Sequence, residues 1–114
     1  MTIHVKLIQP ITTHGIRKDD HLSSMKLDDL KVTAKGIDIG PNSIECEYEE
    51  AMSQPDTILK IIDAENEGCD AAVIDCMGDP GLKGARECVS IPVVGPCETA
   101  CLLYTSDAAD EHSW

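Results

Sequence analysis

Apolar and β-branched residues fall into four short runs, set apart by polar or glycine- and proline-rich segments. Each run has the length and composition of a strand. The first, IHVKLIQ at 3–9, is stopped by Pro10, which cannot donate to a ladder. The second, LKVTAKGIDI at 30–39, ends at Gly40-Pro41. AAVID at 71–75 is a continuous apolar run of the kind buried on both faces, and IPVVG at 91–95 is the fourth. Helical spacing occupies the intervals. SIECEYEEAM turns helical with Ser43 as candidate N-cap and acids in its first turn. Pro55 breaks that pattern, and PDTILKIIDAENEG (55–68) carries Ile58, Ile61 and Ile62 on one face before stopping at Gly68. PGLKGAREC (80–88) predicts a short helix, with Asp79 as N-cap and Pro80 at its first position. PCETA (96–100) opens another, and the polar segment 11–25 reads as loop and then short helix.

Strands and helices alternating at such intervals predict an α/β domain built on a parallel sheet. Right-handed crossovers then bring the C-terminal ends of all strands to one edge, where ligands bind in such sheets. Four loops converge on that edge, at residues 10–15, 40–45, 76–81 and 95–98. Cys76 lies in one of them, just past the third strand and ahead of a helix start whose free N–H groups favour an anion. Asp75 and Asp79 act against a thiolate there. From the residues alone, Cys76 is equally a packed thiol or a reactive one.

The chain's 114 residues suffice for one small domain with a core. A net charge of −12 sets nucleic acid and anionic membrane surfaces aside as partners. No window approaches the roughly 18 apolar residues of a membrane span, and the N-terminus lacks a signal-peptide pattern, so cytoplasmic localisation is expected. The six cysteines, at 46, 69, 76, 88, 97 and 101, form no CxxC pair, and no paired His/Cys half-sites recur at ligand spacing. Reduced thiols and no metal site are expected. Cys46, Cys69 and Cys88 occupy packing positions, whereas Cys97 follows the fourth strand at the ligand edge. His14 and His21 fall in a polar segment and His4 on a strand, so none pairs with Cys76 from sequence. Neither a dinucleotide fingerprint nor a phosphate-binding GxxxxGK[ST] loop occurs, so no nucleotide cofactor is implied.

The end, CLLYTSDAADEHSW, departs from this pattern. Residues 101–111 match one reading frame of a transposon adapter used in DNA library preparation. The expected organisation is an authentic but incomplete α/β fragment over 1–100, followed by a non-native tail over 101–114.

Taken together, QPITT (9–13), GPNSIECEYEEA (40–51), EGCDAAVIDCMGDPGLKGARE (67–87) and IPVVGPCETA (91–100) resemble the aspartate/glutamate/hydantoin racemase superfamily, in its hydantoin- and allantoin-racemase-like branch. The segment Cys-x-Gly-Asp-Pro-Gly, with its preceding strand, is the most specific part. In the first loop the family commonly has Asn-Pro-Asn-Thr, where this chain has Gln9-Pro10-Ile11-Thr12. The resemblance implies a flavodoxin-like lobe of a two-lobed racemase fold, cut short before its second lobe. It implies a small-molecule substrate held between lobes, no cofactor, and a homo-oligomeric full-length parent. By position it implies Cys76 as the first-lobe catalytic cysteine, with Thr12, Thr13, Gly78, Asp79, Cys97 and Glu98 on substrate loops. A second cysteine would return the proton on the opposite face. Within the superfamily a decarboxylase or a cis–trans isomerase stays open, and outside it a non-catalytic ligand-binding or accessory domain.

Overall fold

A computed structural model describes residues 2–13 and 27–112. The polar segment with His14 and His21 lies outside the described residues, as does Trp114. The elements are β1 (Ile3–Gln9), β2 (Leu30–Gly36), α1 (Glu47–Asn66), β3 (Ala71–Ile74), α2 (Leu82–Cys88), β4 (Val93–Val94) and α3 (Pro96–His112). The four strands form one sheet in the order β2-β1-β3-β4, and every pair is parallel. The expected α/β fold is therefore present.

Register aligns one face of the sheet with the helices. Ile8 pairs with Ile74 and Ala72 with Val93, and alternation puts Ala72 and Ile74 on the same side. That side packs against Ile61 of α1 and against Leu82 and Ala85 of α2, forming the main core. Leu7, one residue from Ile8, is buried on the opposite face.

Three local expectations are corrected. β2 was expected to run to residue 39 but ends at Gly36. The N–H groups of Asp38 and Ile39 donate to the Asp56 carboxylate on α1, at 2.6 and 3.1 Å, and so leave the ladder. Lys60 closes the same corner on Asp38 at 2.7 Å.

The second correction concerns α1. Ser43 does not cap it; the helix begins at Glu47 with Cys46 as N-cap residue. Glu49, at the third helical position, reaches back to accept the Glu45 N–H at 2.9 Å and the Cys46 thiol at 3.3 Å. The helix then runs through Pro55 without a break. Proline removes one intrahelical donor, but the stripe of Ser53, Thr57, Ile61 and Ala64 is buried and holds the helix in place. The hydroxyls of Ser53 and Thr57 bond to carbonyls of the preceding turn, at 2.6 and 2.7 Å. As expected, Gly68 ends the helix, at φ 93°. Its N–H bonds to Glu65 O and that of Cys69 to Ala64 O, a Schellman closure.

The third correction concerns α2, which starts at Leu82 after Gly81 in a left-handed conformation. Asp79 does not cap it. Its carboxylate points to a different helix, described below.

Candidate active site

Chain order and strand order together locate the site. From β1 the chain goes to β2 on one side, then returns over α1 to β3 on the other side of β1. The direction reverses between β1 and β3, and a crevice opens at the carboxyl ends of those two strands. Gln9 ends β1 there, and Asp75-Cys76 follow β3. The Asp75 N–H donates to Ile8 O at 2.8 Å, extending the ladder by one residue. Cys76 is thus the first residue released from the sheet, and its carbonyl accepts the Asp79 N–H at 3.0 Å to close a turn.

A pocket of about 510 Å³ occupies this crevice. Its walls come from all four expected loops: Gln9, Pro10, Ile11 and Thr13 after β1; Ser43 and Ile44 after β2; Asp75, Cys76 and Met77 after β3; and Pro96 after β4. Hydrogen bonds join the first two loops. The Thr12 N–H donates to Pro41 O at 2.9 Å, its hydroxyl to Asn42 Oδ1 at 2.6 Å, and the Thr13 hydroxyl to Asn42 O at 2.8 Å.

Of the residues singled out from sequence, Cys76 and Thr13 meet in this pocket, while the Thr12 hydroxyl is turned to the 41–42 loop. Gly78, Asp79, Cys97 and Glu98 line a separate concavity of about 400 Å³, beside Gln54 and Lys83. Within it the Asp79 carboxylate accepts the N–H groups of Cys97 and Glu98, at 3.0 and 2.7 Å. The Cys97 thiol is pushed up, chiefly by neighbouring Cys101 one helical turn on. Gln9, Ser43, Asp75 and Met77 also line the pocket and were not singled out. Gln9 and Asp75 were within reach of sequence reasoning, because each ends an expected strand on the edge where ligands bind in such sheets.

Elsewhere, Cys69 is buried at the opposite end of the sheet, and burial pushes its thiol up. Its sulfur lies 3.6 and 4.0 Å from the two ring nitrogens of His4. The His4 Nε2 is 2.7 Å from the Thr33 hydroxyl. Among the described residues no cluster of three or more His, Cys, Asp or Glu groups could hold a metal, and no helix is long and apolar enough to cross a membrane.

Arg86 braces the β4 end of the site. It donates to Val93 O from Nε and Nη2, at 3.1 and 2.8 Å, and grips the Glu98 carboxylate from Nη1 and Nη2, at 2.8 and 2.7 Å. This hydrogen-bonded fork holds the Glu98 carboxyl below its ordinary 4.5. A carboxyl with a lower pKa folded than unfolded stabilises the fold above the ordinary value and stops doing so as pH falls through the lowered one. The melting-temperature gap between the protein and its Glu98→Gln variant is therefore expected at pH 7 and should close below pH 4.5. A gap independent of pH from 7 to 3 would contradict this.

The sequence model of the Asp/Glu/hydantoin racemase family matches residues 19–109. The chain belongs to this family. Among curated members, it is 42% identical over 107 residues to a hydantoin racemase of Pseudomonas sp. (strain NS671), covering 92% of this chain and 43% of that protein. It is 38% identical over 100 residues to a hydantoin racemase of Rhizobium meliloti, covering 86% and 42%. The solved allantoin racemase from Klebsiella pneumoniae superimposes with a TM-score of 0.78 at 26% identity, covering 92% of this chain and 44% of that one. The chain spans less than half the length of these racemases. The four-stranded lobe described above is thus the part of the racemase fold that this chain shares with them.

Proposed function

We propose that this chain carries the Cys76 half of a cofactor-independent racemase acting on small cyclic amino-acid derivatives of the hydantoin or allantoin type. The observation that carries this reading is the position of Cys76, on the wall of the crevice at the β1/β3 reversal. Inversion at a carbon next to a carbonyl needs a base on one face and an acid on the other. As thiolate, Cys76 takes the proton from that carbon, and the bonding pair moves into the carbonyl to give an enolate. A second cysteine, in the length that the relatives have beyond the aligned part, delivers a proton to the opposite face. In the reverse direction the two exchange roles. N–H donors stabilise the negative oxygen. The pocket's volume of about 510 Å³ admits a five-membered ring and a side chain.

The test follows one enantiomer of a 5-substituted hydantoin in D₂O with the full-length protein. Optical rotation should decay faster than in buffer. Early in the reaction, the product enantiomer should carry deuterium at C5 while the remaining substrate keeps its hydrogen. Saturable binding without decay of rotation would replace this reading with the non-catalytic one, and CO₂ release from a 2-substituted malonate supplied in a parallel assay with the decarboxylase one.

A further inference from the structure

α3 lacks a side-chain cap of its own. Pro96 is its first helical residue, so the N-cap position falls to Gly95, which has no side chain. An N-cap side chain normally accepts the N–H groups of the second and third helical residues. Those residues are Cys97 and Glu98, and their N–H groups are the two that the Asp79 carboxylate accepts. Asp79 comes from a different loop, the one that carries Cys76. It stands at φ 50°, the only non-glycine residue with positive φ among those described. That conformation is strained for most side chains and is tolerated best by Asn and Asp.

Gly95 makes the arrangement possible. A Cβ on it would overlap the Asp79 carboxylate, with all three carboxyl atoms inside contact distance. The missing side chain at position 95 is the space that the Asp79 carboxylate occupies. From there the linkage runs to the backbone of Cys76: the Asp79 N–H holds Cys76 O at 3.0 Å, and the Leu82 N–H holds Asp79 O at 3.2 Å. Pro80 between them is fully buried.

We infer that Asp79 and Gly95 form a latch that positions Cys76 by capping α3 from the β3–α2 loop. Asp79 is thereby a positioning residue rather than a substrate ligand. The proposal rests on Cys76 being the catalytic base and adds how that base is held. Its energetic logic is that the carboxylate bonds to two amides at a helix N-terminus and so stabilises the left-handed turn that aims Cys76 into the crevice. A loop freed from α3 lets the thiol drift, and displacements of about 1 Å at a reacting group cost roughly 10²-fold in rate.

Asp79→Gly keeps the backbone conformation accessible and removes only the carboxylate. Gly95→Ala keeps the carboxylate and evicts it. In the full-length protein each should lower kcat by roughly 10- to 100-fold, with KM changed less than about threefold. The double variant should be no slower than Asp79→Gly alone, because both changes break one linkage. Asp79→Asn suits the left-handed backbone and still accepts one N–H, so it should recover most of the rate lost in Asp79→Gly. The rate of Cys76 alkylation by iodoacetamide, with the labelled peptide identified by mass, gives a readout that needs no turnover. The two single variants and the double variant should converge on one altered rate. Multiplying effects, or an Asp79→Gly variant with wild-type kcat and alkylation rate, would overturn the latch. A wild-type protein that does not racemise would overturn the racemase reading instead, and the alkylation series would still decide the latch.

Discussion

Replacing Cys76 by alanine is expected to lower kcat/KM for hydantoin racemisation by roughly 10²- to 10⁴-fold in both directions, the range associated with a positioned general acid or base. On the proposed route the effect should be large whichever enantiomer is supplied, since the thiol would act as base for one and as acid for the other. Partial reactions separate the two roles. On the proposed two-base route, the variant should take up no deuterium from the enantiomer whose proton Cys76 removes. From the other enantiomer it should take up deuterium without inversion, because the opposing base would still form the enolate and no acid would stand on its other face. The fold should survive the change. Cys76 is half-buried at the core's margin, and a thiol-to-methyl change there creates little void. A Cys76→Ala protein that keeps wild-type kcat/KM, with an unchanged melting temperature, would remove the thiol from the chemistry. The same variant unfolded would instead assign Cys76 to packing, the alternative that composition left open.

The largest stability effect is expected two residues earlier. Ile74 is fully buried, pairs with Ile8 across the strands, and packs in the cluster containing Ile61, Ala72, Leu82 and Ala85. Ile74→Ala should cost about 2–5 kcal/mol, read from the urea midpoint at constant slope. Strands on both sides and helices above keep the site from collapsing around the lost volume, which favours the upper part of that range. A cost below about 1 kcal/mol would mean that the β3 face is not packed as described. The two predictions probe the same carboxyl end of one short strand. Its alternation fixes Ile74 towards the helices, and its end releases Cys76 to the crevice.

The pattern of residues made β1, β3 and the turn at Gly68 legible, because in each case the signal is local. An apolar run followed by Pro10, a buried run followed by the acid–thiol pair, and a glycine at C′ need no knowledge of distant contacts. The boundaries of β2 and α1 were not legible for the complementary reason. Asp38 and Ile39 leave the ladder because Asp56, 17 and 18 positions away, takes their N–H groups. α1 continues through Pro55 because a buried stripe outweighs the loss of one donor. Neither the distant carboxylate nor the packing that buries the stripe can be inferred from a window around the residue it changes.

Asp79 shows the same division within the site. Asp-Pro after a strand is a local sign of a helix cap, and the residue type was read correctly. Its target was not. The acid caps α3, 17 positions further on at Pro96, because β4 brings that helix's first turn beside the β3 loop and Gly95 leaves room for the carboxylate.

By itself, then, the sequence determined the alternating α/β pattern, the edge of the sheet where ligands bind, the presence of Cys76 on that edge and the family to which the chain belongs. These follow from periodicity, punctuation residues and chain direction, all of which are written along the chain. Only the tertiary structure decided that the strand order reverses beside Cys76 and that Thr13 shares its pocket. It also placed Asp79, Cys97 and Glu98 on a separate concavity. Those outcomes depend on which hydrogen-bond donors and which van der Waals volumes meet through space, and such meetings are made only when the sheet has assembled.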